Sequence, residues 1–153
     1  MTLISSPIRR RTLLASLAAV ILAASWMPAP AFQVYQGRKR VLVVLAPNES
    51  HHALARQRAM LNAQRTALSD RDIVINYVVG GTVTSDLGSG PGLSGAAIRT
   101  VLKAPEGSFR VVLIGREGKP VLESPSPLPV LDILATIDRA PIRSDQARRR
   151  ALP

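Results

Sequence analysis

The chain has 153 residues, no Cys, 12 Pro and 10 Gly, with 46% hydrophobic and 20% charged residues. That length suits one domain and excludes two full ones, and the composition excludes collagen-like, disulfide-stapled and wholly disordered classes. Without Cys there is no thiolate nucleophile, no disulfide, no Cys-ligated zinc and no iron–sulfur cluster.

The formal net charge is +10, which raises the question of a nucleic-acid partner. A single-strand platform needs aromatic faces beside its basic groove, and only Phe32, Tyr35, Tyr77 and Phe109 lie beyond the first 31 residues. No nucleic-acid binding is expected. Five Arg and one Asp lie from Arg139 to Pro153, a local excess centred on Arg148, Arg149 and Arg150 in the expected tail, 141–153. It reads either as a solvated, frayed basic tail or as an electrostatic contact for an anionic surface or acidic partner.

Residues 1–31 read as a secretory signal peptide. Arg9, Arg10 and Arg11 form a positive leader, Thr12 to Met27 is uncharged and largely apolar, and Ala29-Pro30-Ala31 supplies the small-x-small cleavage pattern. The cut is expected between Ala31 and Phe32. The apolar run is shorter than the roughly 20 residues of a spanning helix, so no transmembrane segment is expected after cleavage. Arg10-Arg11-Thr12-Leu13-Leu14 also resembles a twin-arginine export signal, and ordinary unfolded export stays open beside it. Both routes lead to the periplasm or the exterior.

After a polar lead-in, 32–40, the domain is expected over 41–140. Val41 to Ala46 is a continuous apolar run, the pattern of a central strand covered on both faces. Pro47 ends it, and Asn48 or Ser50 is placed to cap a helix from His51 to about Leu68, with Ala53-Leu54, Met60-Leu61 and Ala67-Leu68 on one stripe. Ile73 to Val79 is a second strand, which the intervening helix makes parallel to the first. A glycine-rich loop, 80–95, follows, with Thr82-Val83-Thr84 as a short extension. Ser94 caps a helix from Gly95 to Lys103 with Ala97, Ile98, Val101 and Leu102 inward. Phe109 to Ile114 and Pro120 to Glu123 form an antiparallel hairpin with an edge strand. Ser126-Pro127 opens the last helix, which runs to about Arg139 with Val130, Ile133, Leu134 and Ile137 buried. The expected fold is α/β: strand-helix-strand-helix-strand-strand-helix, a four-stranded mixed sheet with helices on both faces, thioredoxin-like in order.

Four stretches carry a family resemblance: Arg40 to Pro47, Asp70 to Val74, Phe109 to Gly115, and Leu131 through Arg143. They resemble the bacterial P-DUDES group, a family of unknown function. The resemblance implies a thioredoxin-like fold and a relation to a domain of secreted sushi-repeat and matrix proteins. It implies no activity. The lead-in departs from the pattern, which has an aromatic near Gly37.

In redox members of the thioredoxin fold the reactive Cys lies between the first strand and the first helix. Here that place holds Asn48, Glu49, Ser50, His51 and His52. Thiol–disulfide exchange and thiol peroxidase chemistry are excluded on residue identity, and Ser108 stands where such enzymes carry a cis-proline. A helix N-terminus favours anions, so these five residues are the candidate ligand site, and helix capping with solvated histidines is the plainer alternative. Adjacent helical residues do not face one another, so His51 and His52 alone make no metal site, and no cofactor is called for. The glycine loop has no Gly-Lys-Ser/Thr ending and is no phosphate cradle. Ser85, Asp86 and a histidine would make a hydrolase triad only if the fold gathered them.

Two classes of function stay open. One is a non-enzymatic binding or structural module of the cell envelope, taking an envelope protein or an anionic ligand. The other is an enzyme with a non-thiol mechanism, His51 or His52 as base and Glu49 as acid.

Overall fold

The structure is a computed structural model that describes residue 32 and residues 35–139. The expected leader with Ala31 and the tail with Arg148, Arg149 and Arg150 lie outside the described residues.

Three β-branched runs build the centre of the sheet. Strand β1 (Arg40–Ala46) pairs in parallel with β2 (Ile73–Val79), from Arg40 opposite Ile73 to Ala46 opposite Val79. Its other edge pairs antiparallel with Arg110–Ile114, Val44 opposite Val111. That strand continues through a tight turn into the edge strand Pro120–Ser124.

Among the described residues the sheet has five strands, not four. Thr82–Asp86 pairs antiparallel with β2 across the turn at Gly80 and Gly81, Val79 opposite Thr82 and Ile75 opposite Asp86. The expected short extension is therefore a full edge strand. With Thr82–Asp86 as β3, Arg110–Ile114 as β4 and Pro120–Ser124 as β5, the order is β3-β2-β1-β4-β5. Gly80 has a φ of 56°, a left-handed conformation that glycine adopts without steric cost. The turn can therefore reverse the chain within two residues.

Side chains alternate across β1, and each set meets its own helices. Leu42, Val44 and Ala46 pack with Ala53, Leu54 and Leu61 of α1 (His52–Ala63), Leu68 of α2 (Arg65–Ser69), and Val130, Ile133 and Ile137 of α4 (Val130–Arg139). Val41, Val43 and Leu45 pack with Ile98 of α3 (Gly95–Val101) and with Phe32 and Tyr35 of the lead-in. Helices thus cover both faces, as the unbroken apolar runs demand.

Several element boundaries differ from expectation. The first long helix breaks at Gln64, whose φ of −119° and ψ of 25° leave the helical region. Helix α3 stops at Val101, because Lys103 turns left-handed with a φ of 51°. The Lys103 and Ala104 N–H groups then return to the carbonyls of Thr100 at 3.1 Å and Arg99 at 2.9 Å, a Schellman ending. Helix α4 opens at Val130. Asp132 and Ile133 donate to the Pro129 carbonyl, while Ser126 bonds with Ser124 instead of capping a helix. The Ser94 cap is present, its Oγ accepting from Ala97 N at 3.2 Å.

Candidate functional site

The junction from β1 to α1 is an exposed turn bonded within itself. Ser50 Oγ donates to Asn48 Oδ1 at 2.9 Å, and the His51 N–H donates to the Asn48 carbonyl at 3.4 Å. Neither Asn48 nor Ser50 caps α1. The N-cap is His51, whose side chain makes no capping bond. Its ring lies parallel to Phe109, centroids 5.6 Å apart at 2°, and also stacks with His52 at 5.0 Å. His51 Nδ1 is buried without a partner.

Glu49 is engaged elsewhere. Arg58 reaches back from α1 and donates to both carboxylate oxygens, at 2.5 and 3.3 Å. That bond holds the Glu49 carboxyl below its ordinary range despite some opposing desolvation. The same guanidinium sits 5.0 Å over the Tyr77 ring. Burial raises the Tyr77 phenol, Asp86 adds to the rise, and Arg58 and Arg65 oppose it. The five candidate residues thus share one turn, with Glu49 committed to Arg58 and His51 to Phe109.

The other imagined constellation does not assemble. Ser85 Oγ donates to Asn76 Oδ1 at 2.6 Å, and Asp86 is held by Arg65. Asn76 is fully buried in the middle of β2, with Tyr35 beside it. Burial raises the Tyr35 phenol and Asn76 partly offsets the rise, while the Tyr35 hydroxyl donates to the Ser89 carbonyl. This polar patch ties the lead-in and the glycine loop to the sheet. Among the described residues no three His, Asp or Glu side chains gather to hold a metal ion.

A cleft of about 300 Å³ opens at the same end of the sheet. Pro47 follows β1, Gly80 and Gly81 form the β2–β3 turn, Ala96 and Arg99 come from α3, and Glu106 and Gly107 close the far side. Gly95 brings α3 this close: a Cβ there would meet the Gly81 carbonyl carbon and oxygen at 3.0 Å.

Arg99 is the chemically distinctive wall. It is only 5% exposed. Its Nη2 donates to the Ala46 carbonyl at 2.7 Å, and Nη1 donates to the carbonyls of Pro105 at 3.2 Å and Ser108 at 3.5 Å. Burial lowers its pKa, and the charge of Glu106 partly restores it. None of the five ion pairs among the described residues includes it. Sequence reasoning passed over Arg99, although Gly95, Ile98, Arg99 and Leu102 have the i, i+3, i+4, i+7 spacing of a buried stripe.

Residues 31–146 match the family model described as a domain of unknown function, DUF4174, and the chain belongs to that family. No curated protein and no solved structure matches it. No helix among the described residues is long and apolar enough to cross a membrane.

Proposed function

We propose that this DUF4174 chain is an exported, non-redox, thioredoxin-like binding module of the cell envelope, related to the P-DUDES group. The segment β1-α1-α2-β2, the antiparallel β4–β5 pair and the spatial order β2-β1-β4-β5 support the thioredoxin-like reading, with β3 added beyond β2. The pattern of residues 1–31 supports export to the periplasm or beyond.

One observation carries the choice of binding over catalysis. At the junction where redox relatives place their Cys, Glu49 is tied to Arg58 and His51 is stacked on Phe109. That leaves the expected acid, Glu49, committed to an ion pair and not free to work beside His51 or His52. The enzymatic reading has one observation in its favour, the buried and unpartnered His51 Nδ1, which would serve as the base.

Crosslinking in intact cells, recovery from the periplasmic fraction, and mass spectrometry of bound partners and N-terminus test the proposal. A chain beginning at Phe32 with one stoichiometric protein partner supports it. An intact leader in the cytoplasmic fraction overturns the export reading. Joint replacement of His51 and His52 by Ala separates the two classes: the binding module keeps its fold and partner, and the enzyme loses turnover.

A further inference from the structure

Arg99 presents an unfinished electrostatic arrangement. A guanidinium has five N–H donors, and the carbonyls of Ala46, Pro105 and Ser108 take three of them. Those carbonyls contribute partial charges only. A buried full charge is costly unless an opposite charge meets it; Glu106 acts on Arg99 only through space, and none of the ion pairs among the described residues brings a carboxylate into contact with it. The residue forms a wall of an open cleft of about 300 Å³, so its counter-charge can come from outside the chain.

The remaining walls narrow the choice. Pro47, Gly80, Gly81 and Ala96 carry no bulky side chain, so a ligand can approach the main chain closely. Glu106 is exposed and lines the same cleft. Its charge opposes a doubly charged anion such as phosphate and favours a ligand that also carries a positive group.

We infer that the cleft between the β1 and β2 ends and α3 binds a small amphoteric carboxylate, an amino-acid-like molecule whose carboxylate pairs with Arg99 and whose ammonium faces Glu106. A carboxylate accepts two parallel N–H bonds from a guanidinium, which completes the donor set. The site deepens the binding-module reading and rests on it. It adjoins the Asn48–His52 turn at Pro47, uses none of those five side chains, and gives the module a ligand class.

The test is a titration of the ¹⁵N-labelled chain, as recovered from cells, followed by the amide signals of Gly80, Gly81 and Gly107. The probes are glycine, gamma-aminobutyrate, acetate, ethylammonium and inorganic phosphate at constant ionic strength. The expected result is a saturable shift of those three glycines. The better of the two amino acids should bind about tenfold tighter than acetate or ethylammonium, as one added charge-assisted contact implies. Phosphate should bind no tighter than acetate.

Glu106→Gln should bring the amino acid down to the acetate level and leave acetate binding at least as strong. Arg99→Met should abolish binding of all the anions. Because Arg99→Met also strips three carbonyls of their donor, the exposed Glu106→Gln variant carries the test if that protein does not fold. No saturable shift at the three glycines, phosphate binding tighter than either amino acid, or an unchanged preference in Glu106→Gln overturns the inference. These readouts need neither export nor a protein partner. Amino-acid binding without a captured partner therefore sinks only the envelope-partner reading, and a captured partner with no cleft binding sinks only this one.

Discussion

Gln57 of α1 reads the backbone of Leu128 as a base reads its complement. Its Nε2 donates to the Leu128 carbonyl at 3.1 Å and its Oε1 accepts from the Leu128 N–H at 2.7 Å. Gln57 is fully buried and Leu128 is 9% exposed, so water does not replace either bond. One side chain therefore fixes the irregular segment that leads into α4. Gln57→Leu keeps the volume and removes both partners, leaving a buried donor and a buried acceptor unpaired. The expected cost is about 2–4 kcal/mol, read as a lower urea midpoint with an unchanged slope. A stability within about 0.5 kcal/mol of the wild type, the usual range of a neutral surface change, would show that the segment before α4 holds itself.

Gly95→Ala tests how closely α3 must sit to the β2–β3 turn. In an open helix the change would help, because alanine is the better helix former. Here the new Cβ meets the Gly81 backbone at 3.0 Å and a Val78 methyl at 3.1 Å, and backbone yields less readily than the end of a flexible side chain. The expected net effect is destabilisation by about 1–2 kcal/mol, with amide shifts concentrated at Gly80 and Gly81. An increase in melting temperature would mean that the cleft wall is freer to move than the packing implies.

The sequence disclosed what burial writes into side chains, and little of what hydrogen bonds to the main chain demand. The unbroken runs of β1 and β2 mark strands covered on both sides, and the spacing of Val130, Ile133 and Ile137 marks the inner face of α4; all of these residues are buried. Edge strand β3 reads Thr-Val-Thr-Ser-Asp with no residue fully buried, so it has no apolar signal and only its pairing with β2 defines it. Among the described residues, Gln57, Asn76 and Arg99 are the buried polar or charged ones. Gln57 and Arg99 answer to carbonyls and amides, which have no letter of their own in a sequence. The turn from Asn48 to His52 is the converse case. Its residue types suggest a site, while the bonds they make are mostly with each other and with Arg58.

Val44→Asp tests the central-strand assignment. Val44 is fully buried, flanked by Tyr77 on β2 and Val111 on β4. An unpaired carboxylate there costs on the order of 5 kcal/mol, comparable with the whole stability of a small domain. Loss of the cooperative melt by circular dichroism is expected. A cooperative transition near the wild-type temperature would mean that β1 does not occupy the centre of the sheet.

Acid sensitivity follows from three surface pairs. Arg65 holds the Asp86 carboxyl below its ordinary range, with the Leu87 N–H helping at 2.9 Å. Arg71 does the same for Asp138, and Arg58 for Glu49. A carboxyl with a lower pKa folded than unfolded contributes stability above its unfolded pKa, and loses that contribution as pH falls through the folded value. Urea midpoints should therefore be flat near neutrality and decline below the ordinary carboxylate range. Asp86 is the least exposed of the three, at 28% against 55% for Asp138 and 67% for Glu49. Solvent screens it least, so Asp86→Asn should flatten the acid limb more than Asp138→Asn. Raising the salt concentration should remove a larger fraction of the limb where Asp86 is already replaced, because the pairs that remain are the exposed ones. Equal slopes for the wild type and Asp86→Asn at low salt would place the acid sensitivity outside the Arg65–Asp86 pair.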